Sequence, residues 1–317
     1  RGGQRSEPGR ARESSAAKKD GASKKGQVTV METGKLISPR KIMSLQPAIV
    51  YGPVNSRRLG LSLGINLLPT TYKLCSFNCL YCQYGWSRKS TLTLNVTDEI
   101  YDLPQPQEVY TALESSLEEL TRRETVVDSI TISGNGEPTL HPDLGEIVQG
   151  ARKLREKYLP QTRLAILSNS STVGRREVRE ALEMLDLKIM KLDAGSEELL
   201  QQINGPMAPI DLKSIVAGLK KLRHVTLQSL FVQGRVNNAD PNNVEHWVDK
   251  VKEIQPQLVQ IYTLDRVPAE KRLWKVNLPT LQWIGREVYW RAGVKAEVFS
   301  VEPHMKKDIG KAATRAN

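Results

Sequence analysis

Three cysteines, Cys75, Cys79 and Cys82, are the only ones in the 317-residue chain, and they fall within eight consecutive residues. Their spacing is C-x3-C-x2-C, close enough for three thiolates to converge on one inorganic centre. A structural zinc site wants four protein ligands, commonly as paired C-x2-C sets. No fourth cysteine exists, and the only histidines, His141, His224, His246 and His304, lie outside the loop. A ferredoxin-type [4Fe–4S] centre also takes four cysteines. Three thiolates on a four-iron cluster leave one iron without a protein ligand. An open coordination position of that kind belongs to catalytic centres more than to structural ones.

A second constellation is Ser133-Gly134-Asn135-Gly136-Glu137-Pro138. Its glycines allow backbone to approach a ligand closely with no Cβ in the way, and Glu137 offers a carboxylate to a cationic amine. Further polar residues close later apolar runs: Ser168 and Asn169, then Asp193, then Tyr262 and Thr263, with Gln228, Gln233 and Gly234 between. Arg57, Arg58 and Arg266 are candidates to clamp a phosphate or carboxylate.

These residues must be positioned by regular elements, and the sequence indicates which. Short runs rich in Val, Ile and Leu predict strands over 62–68, 126–133, 163–168, 187–193, 225–232 and 258–263, with a weaker one over 295–300. Helical stripes lie between them: Leu113, Leu117 and Leu120; Leu144, Ile147, Val148, Ala151 and Leu154; Val244, Trp247, Val248, Val251 and Ile254. Asp240 before Pro241 reads as an N-cap with proline at the first helical position. Strand starts are separated by roughly one βα unit, which implies parallel strands joined by right-handed crossovers. The fold class is therefore α/β, a partial or near-complete parallel (β/α) barrel, with a doubly wound open sheet as the alternative. In a barrel, chemistry belongs at the C-terminal ends of the strands, and the unusual residues fall there. Residues 270–317 fit either a last barrel unit or a lid.

The cysteine loop, with the aromatic Tyr81 just before its last cysteine, resembles the radical S-adenosylmethionine (SAM) superfamily. The resemblance implies that Cys75, Cys79 and Cys82 hold a [4Fe–4S] cluster and that SAM chelates the open iron. It also implies reductive cleavage of SAM to methionine and a 5′-deoxyadenosyl radical, which abstracts hydrogen from a substrate. Gly134, Asn135, Gly136 and Glu137 correspond to the element that meets the SAM amino group. The first glycine is displaced by one position from the usual Gly-Gly-Glu. As polar and aromatic residues closing strands, Ser168, Asn169 and Asp193 are candidates to bond the SAM ribose and carboxylate, and Tyr262 and Thr263 to flank adenine; Tyr81 is a further candidate SAM contact. Over residues 51–300 the runs YGPVNSRRLG, CSFNCLYCQYG, SGNGEPTLHPDL and IYTLDRVPAE are similar to the wyosine-base synthetase branch, whose members build a tricyclic base on tRNA. With all cysteines in one loop, a second cysteine-ligated cluster has no ligands here.

Composition narrows the remainder. The chain carries 46 Lys+Arg against 35 Asp+Glu, a net charge of +11, and residues 1–50 hold 11 of those basic residues with only 4 acidic ones. Residues 1–45 are expected to be a disordered basic tail, because Gly, Ser, Arg and Lys cannot bury enough surface to offset ordering entropy. The tail has no apolar run of the secretory kind. Residues 46–300 are expected to form the barrel domain and 301–317 a C-terminal tail. No run approaches the roughly 18 apolar residues of a bilayer helix, so no membrane role is expected. Three clustered cysteines are no disulfide framework, and a cytoplasmic, reducing location follows. An electron donor such as flavodoxin or ferredoxin is the expected partner, and an RNA base the leading substrate. Two other readings stay open: a radical SAM activase or modifier of a protein, and a non-catalytic metal-stabilised RNA-binding protein.

Overall fold

Apolar residues at every second position on both faces make these strands stable only when both sides are covered, which is the situation of a parallel sheet. The computed structural model describes residues 42–87 and 102–300. The expected C-terminal tail and residues 1–41 of the expected N-terminal tail lie outside the described residues. The strands are β1 (Val50–Ser56), β2 (Gly60–Ile65), β3 (Ser129–Ile132), β4 (Arg163–Ser168), β5 (Leu187–Lys191), β6 (Val225–Gly234), β7 (Leu258–Thr263), β8 (Leu273–Lys275) and β9 (Ala296–Phe299). The helices are α1 (Pro106–Arg122), α2 (Leu144–Tyr158), α3 (Arg176–Glu183), α4 (Glu197–Ile203), α5 (Leu212–Leu219), α6 (Pro241–Ile254) and α7 (Leu278–Glu287).

The sheet runs β1-β2-β3-β4-β5-β6-β7-β9. Every neighbouring pair along this path from β2 to β9 is parallel; β1 is antiparallel on β2, and β8, off the path, is antiparallel on the end of β6. The strand path has two ends, β1 and β9, and among the described residues no pairing joins them. The fold is a partial, laterally open (β/α) barrel.

Strands β4 and β7 coincide with their expected ranges, and the others shift. Residues 66–68 leave β2 because Asn66 turns aside, its Nδ2 donating to Leu68 O at 2.8 Å. Strand β3 starts at Ser129, and Val126 before it is 81% exposed. Strand β5 stops at Lys191, so Asp193 stands just past it. The stretch before the first expected strand is itself the strand β1. Pro53 hides it, since proline within a strand is tolerated only at an edge or bulge; β1 is an edge strand whose register slips between Tyr51 and Val54. Through residue 300 the last segment is a barrel unit, with α7 leading into β9 beside β7.

The three helical stripes all face the sheet. Val109, Leu113, Leu117 and Leu120 are buried on α1, and Leu144, Ile147, Val148 and Ala151 on α2. On α6, Val244, Trp247, Val248, Val251 and Ile254 are buried, and Asp240 caps the helix by accepting from Asn242 N at 3.1 Å. Trp247 donates its Nε1–H to Leu192 O at 2.9 Å and meets Phe231 edge-on at 5.0 Å, tying α6 to the ends of β5 and β6.

Candidate radical SAM site

The cysteine loop leaves β2 at Ile65, and its buried backbone must find partners outside regular structure. Leu74 forms a parallel bridge with Gly136: Leu74 N donates to Asn135 O and Glu137 N to Leu74 O, both at 3.0 Å. The other side of the loop is held by the segment after α4. Asn78 N donates to Asn204 O at 2.9 Å, Leu80 N to Ile203 O at 2.9 Å and Met207 N to Ser76 O at 2.9 Å. Glu270 N closes the end of the loop on Leu80 O at 2.8 Å.

That bridge explains the glycine-rich turn. Gly136 has φ +149, and a Cβ there would stand 1.7 Å from Leu74 O. At Gly134 a Cβ would stand 2.2 Å from Asn66 Oδ1. The close approaches these glycines permit are to the protein's own cysteine loop and to Asn66. Asn135, fully buried, donates its Nδ2 to Gln46 O and Pro69 O, both at 2.9 Å, and its backbone N–H to Asn66 Oδ1 at 3.0 Å. It fastens three stretches of chain at one point.

Glu137 is equally enclosed. Its Oε1 accepts from Thr139 N at 3.0 Å, Thr139 Oγ1 at 2.5 Å and Ser168 Oγ at 2.9 Å, and its Oε2 accepts from Asn169 N at 2.5 Å. Burial pushes its carboxyl above the usual range, and these donors pull the other way. In this arrangement Glu137 braces the end of β3 against the end of β4.

The three thiols are free; Cys75 and Cys79 are buried and Cys82 half-buried. Burial pushes the Cys75 thiol up to about 12, against the pull of Lys73, and burial also raises Cys79. Buried thiols held protonated are inert as nucleophiles; a metal centre takes them as thiolates. Lys73, 7% exposed, donates to Gly85 O at 3.0 Å. Burial opposes its charge, yet the three cysteines beside it raise its pKa overall. Asn169 Nδ2 approaches Cys75 Sγ at 3.5 Å, and Asn204 Nδ2 approaches Cys79 Sγ at 3.4 Å.

Beyond the loop, the barrel end holds a charged network. Tyr81 donates its hydroxyl to Asp193 Oδ2. Asn204 Nδ2 reaches the same oxygen at 2.9 Å, and Leu230 N donates to Asp193 Oδ1 at 2.8 Å. Lys191 pairs with Asp193 at 3.2 Å and donates to Tyr262 OH at 2.9 Å. Its ammonium lies 5.0 Å from the Tyr81 ring centroid and 5.1 Å from that of Tyr262. Arg58 stands 4.4 Å over Tyr262.

The structure therefore brings together Cys75, Cys79, Cys82, Tyr81, Glu137, Ser168, Asn169, Asp193 and Tyr262 at the C-terminal ends of the strands. Thr263 is turned to other work, donating to Phe231 O at 2.8 Å and accepting from Val276 N at 2.9 Å. Gln233 and Gly234 are paired with Trp274 and Leu273 of β8. Of the three arginines, Arg57 pairs with Asp265 at 2.8 Å, Arg266 meets Met43, and Arg58 alone faces the network. The sequence reading missed Lys73, Lys191 and Asn204. Lys73 had a signal, a cation two residues before the first cysteine; Asn204 lies 125 residues from Cys79 and had none.

The sequence profile of the radical SAM superfamily matches residues 70–255. The chain belongs to the radical SAM superfamily. That membership implies an enzyme of SAM-dependent radical chemistry. A UPF0026 protein of Synechocystis is 36% identical over 214 residues, covering 67% of this chain and 74% of that protein. Among solved structures, a radical SAM methyltransferase from Sphaerobacter thermophilus superposes with a TM-score of 0.54 at 13% identity, over 75% of this chain and 66% of that one. TYW1 with a lysine–pyruvate adduct bound gives 0.51 at 13% identity, over 75% and 76% of the two chains. At such identity these two share the fold alone.

The residues fit the group this family implies. Three unpaired thiols share one loop, amide N–H groups aim at two of their sulfurs, and a buried ammonium offsets their charge. Among the described residues no three His, Cys, Asp or Glu side chains are placed to hold a single metal ion. No helix among the described residues is long and apolar enough to cross a membrane.

Proposed function

We propose that Cys75, Cys79 and Cys82 ligate a [4Fe–4S] cluster with one open iron for SAM, and that the enzyme modifies a base of RNA. The observation that carries the reading is the cysteine loop, whose buried sulfurs have amide donors and a buried lysine countercharge and no disulfide. When bound, the reduced cluster and SAM supply a 5′-deoxyadenosyl radical for hydrogen abstraction. The chain's own residues hold and enclose them. The Leu74–Gly136 bridge and the Ile203–Met207 segment fix the loop. Ser168, Asn169 and Asp193 offer polar contacts to SAM, Tyr262 offers an aromatic face to adenine, and the Glu137 brace keeps the ends of β3 and β4 in register. A small flavodoxin- or ferredoxin-like protein in the cytoplasm is the proposed source of the electron.

The RNA assignment is supported by the net charge of +11 and by exposed aromatic surface. Trp86, just past Cys82, is 45% exposed, and Trp274 on β8 is 61% exposed. Exposed tryptophans suit base stacking.

Anaerobic reconstitution with iron and sulfide should load about four irons per chain, and dithionite with SAM should then release 5′-deoxyadenosine. Cys79→Ala should lose both cluster and product. Protein holding four irons that yields no 5′-deoxyadenosine would falsify the enzyme reading. Transfer RNA should bind with an affinity that falls as salt rises; absence of binding at low salt defeats the RNA assignment and leaves the SAM chemistry standing.

A further inference from the structure

Two sulfurs of the cysteine loop are met by side-chain amides from distant parts of the chain, and a buried lysine is anchored beside the loop. Asn169, at the end of β4, aims its Nδ2 at Cys75 Sγ from 3.5 Å. Its amide is locked in that orientation, because Nδ2 also donates to Ser76 Oγ at 2.9 Å while Oδ1 accepts from Ser171 N at 2.9 Å. Asn204, past α4, approaches Cys79 Sγ at 3.4 Å and shares the same Nδ2 with Tyr81 OH at 3.0 Å and Asp193 Oδ2 at 2.9 Å. Lys73, two residues before Cys75, is buried and anchored on Gly85 O at 3.0 Å, three residues past Cys82. None of the three belongs to the C-x3-C-x2-C motif.

A protonated thiol is a weak acceptor, so two buried amide donors would gain little from neutral cysteines. Donors to a charged sulfur are worth roughly twice as much, and a buried ammonium costs least beside negative charge. The arrangement suits thiolates on a cluster, and it favours most the state with the greatest negative charge. Reduction adds one electron and no proton, so the cluster with its three thiolates becomes more negative by one. A buried ammonium beside the loop and two amide dipoles directed at Cys75 and Cys79 stabilise that state, and hydrogen bonds to the sulfurs are among the terms that set such potentials.

We propose that Lys73, Asn169 and Asn204 are positioning residues that raise the reduction potential of a cluster on Cys75, Cys79 and Cys82, with Lys73, as a full charge, the strongest of the three. This rests on the cluster reading above.

The test is a redox titration of the reconstituted full chain, with dithionite as reductant and the paramagnetic signal of the reduced cluster as readout. Lys73→Met should favour the oxidised form by about tenfold, ~59 mV for a one-electron couple, and Lys73→Arg should restore most of it. Asn169→Ser and Asn204→Ser should shift the potential in the same direction by less, at native iron content. Variants that hold native iron at native potential overturn the proposal, as does a shift to higher potential in Lys73→Met. If Lys73→Met loads no iron, the asparagine variants decide by the same criterion. Loss of iron from every variant, Lys73→Arg included, also overturns it, because the residues would then serve the loop's structure. A native chain that takes up no iron refutes the cluster reading instead, so the two failures are distinguishable.

Discussion

Replacing Gly136 by alanine should unfasten the cysteine loop, and the structure sets the magnitude. The backbone there has φ +149, a conformation that costs a residue with a Cβ about 1–3 kcal/mol. The new Cβ would stand 1.7 Å from Leu74 O and 2.4 Å from Leu74 C. Both atoms are backbone, so no side chain can swing aside and the bridge must open. Opening it releases the bonds from Leu74 N to Asn135 O and from Glu137 N to Leu74 O, worth about 1 kcal/mol each. The expected loss is about 3–5 kcal/mol, a fall in Tm on the order of 10 °C for a chain of this size. Cys75 directly follows Leu74, so iron retention after anaerobic reconstitution should fall with stability. Gly145→Ala is the control: nothing lies within 4 Å of a Cβ there, and alanine in helix α2 should be neutral or stabilising by about 0.5 kcal/mol. Urea denaturation and iron analysis of both variants decide the matter. Gly136→Ala within about 0.5 kcal/mol of the native protein, with native iron, would refute the reasoning.

Other perturbations separate strong contacts from weak ones. Lys191→Met leaves Asp193 buried without its ammonium and should cost about 3 kcal/mol. Burial opposes the Lys191 charge, but Asp193 and Tyr262 outweigh it and raise the pKa above its ordinary 10.5. A raised lysine contributes stability that is complete below 10.5 and is lost as pH rises through the folded value. The gap between native and variant in urea should therefore hold from pH 6 to pH 10 and narrow only above; a gap that closes near neutrality refutes the pairing. Trp247→Ala empties a site 1% exposed and removes the bond to Leu192 O, at about 3–5 kcal/mol; a loss under 1 kcal/mol would contradict its role in tying α6 to the sheet. Arg57→Ala breaks an ion pair whose side chains are 47% and 34% exposed and should cost under about 1 kcal/mol. A larger loss in thermal denaturation would show that the β1–β2 turn helps hold the open side of the barrel.

Chemistry and fold class were legible in the residues to different depths. The C-x3-C-x2-C spacing is local, so its meaning survived without any knowledge of the fold. Strands β4 and β7 were readable to the residue because apolar runs bounded by turns sit where covering helices must pack. β1 was not, because Pro53 contradicts local strand propensity and only its edge position excuses it. The glycines of the Gly134–Gly136 turn were read as room for a ligand. In the structure that room is filled by Leu74 and Asn66, atoms from a distant part of the chain.

What the linear order of residues decided by itself was the cysteine triad and the succession of βα units, since both depend on spacing along the chain and on periodic burial. What the tertiary structure alone decided was the company those cysteines keep. Asn169 and Lys191 reach the site because parallel strands bring their C-terminal ends to one rim, and Asn204 because it closes helix α4 against the loop; Asn169 and Asn204 each meet a cysteine more than 90 positions away. Hydrogen bonds and charge pairs act over a few ångströms of space whatever the separation in sequence, so no local pattern could have announced them.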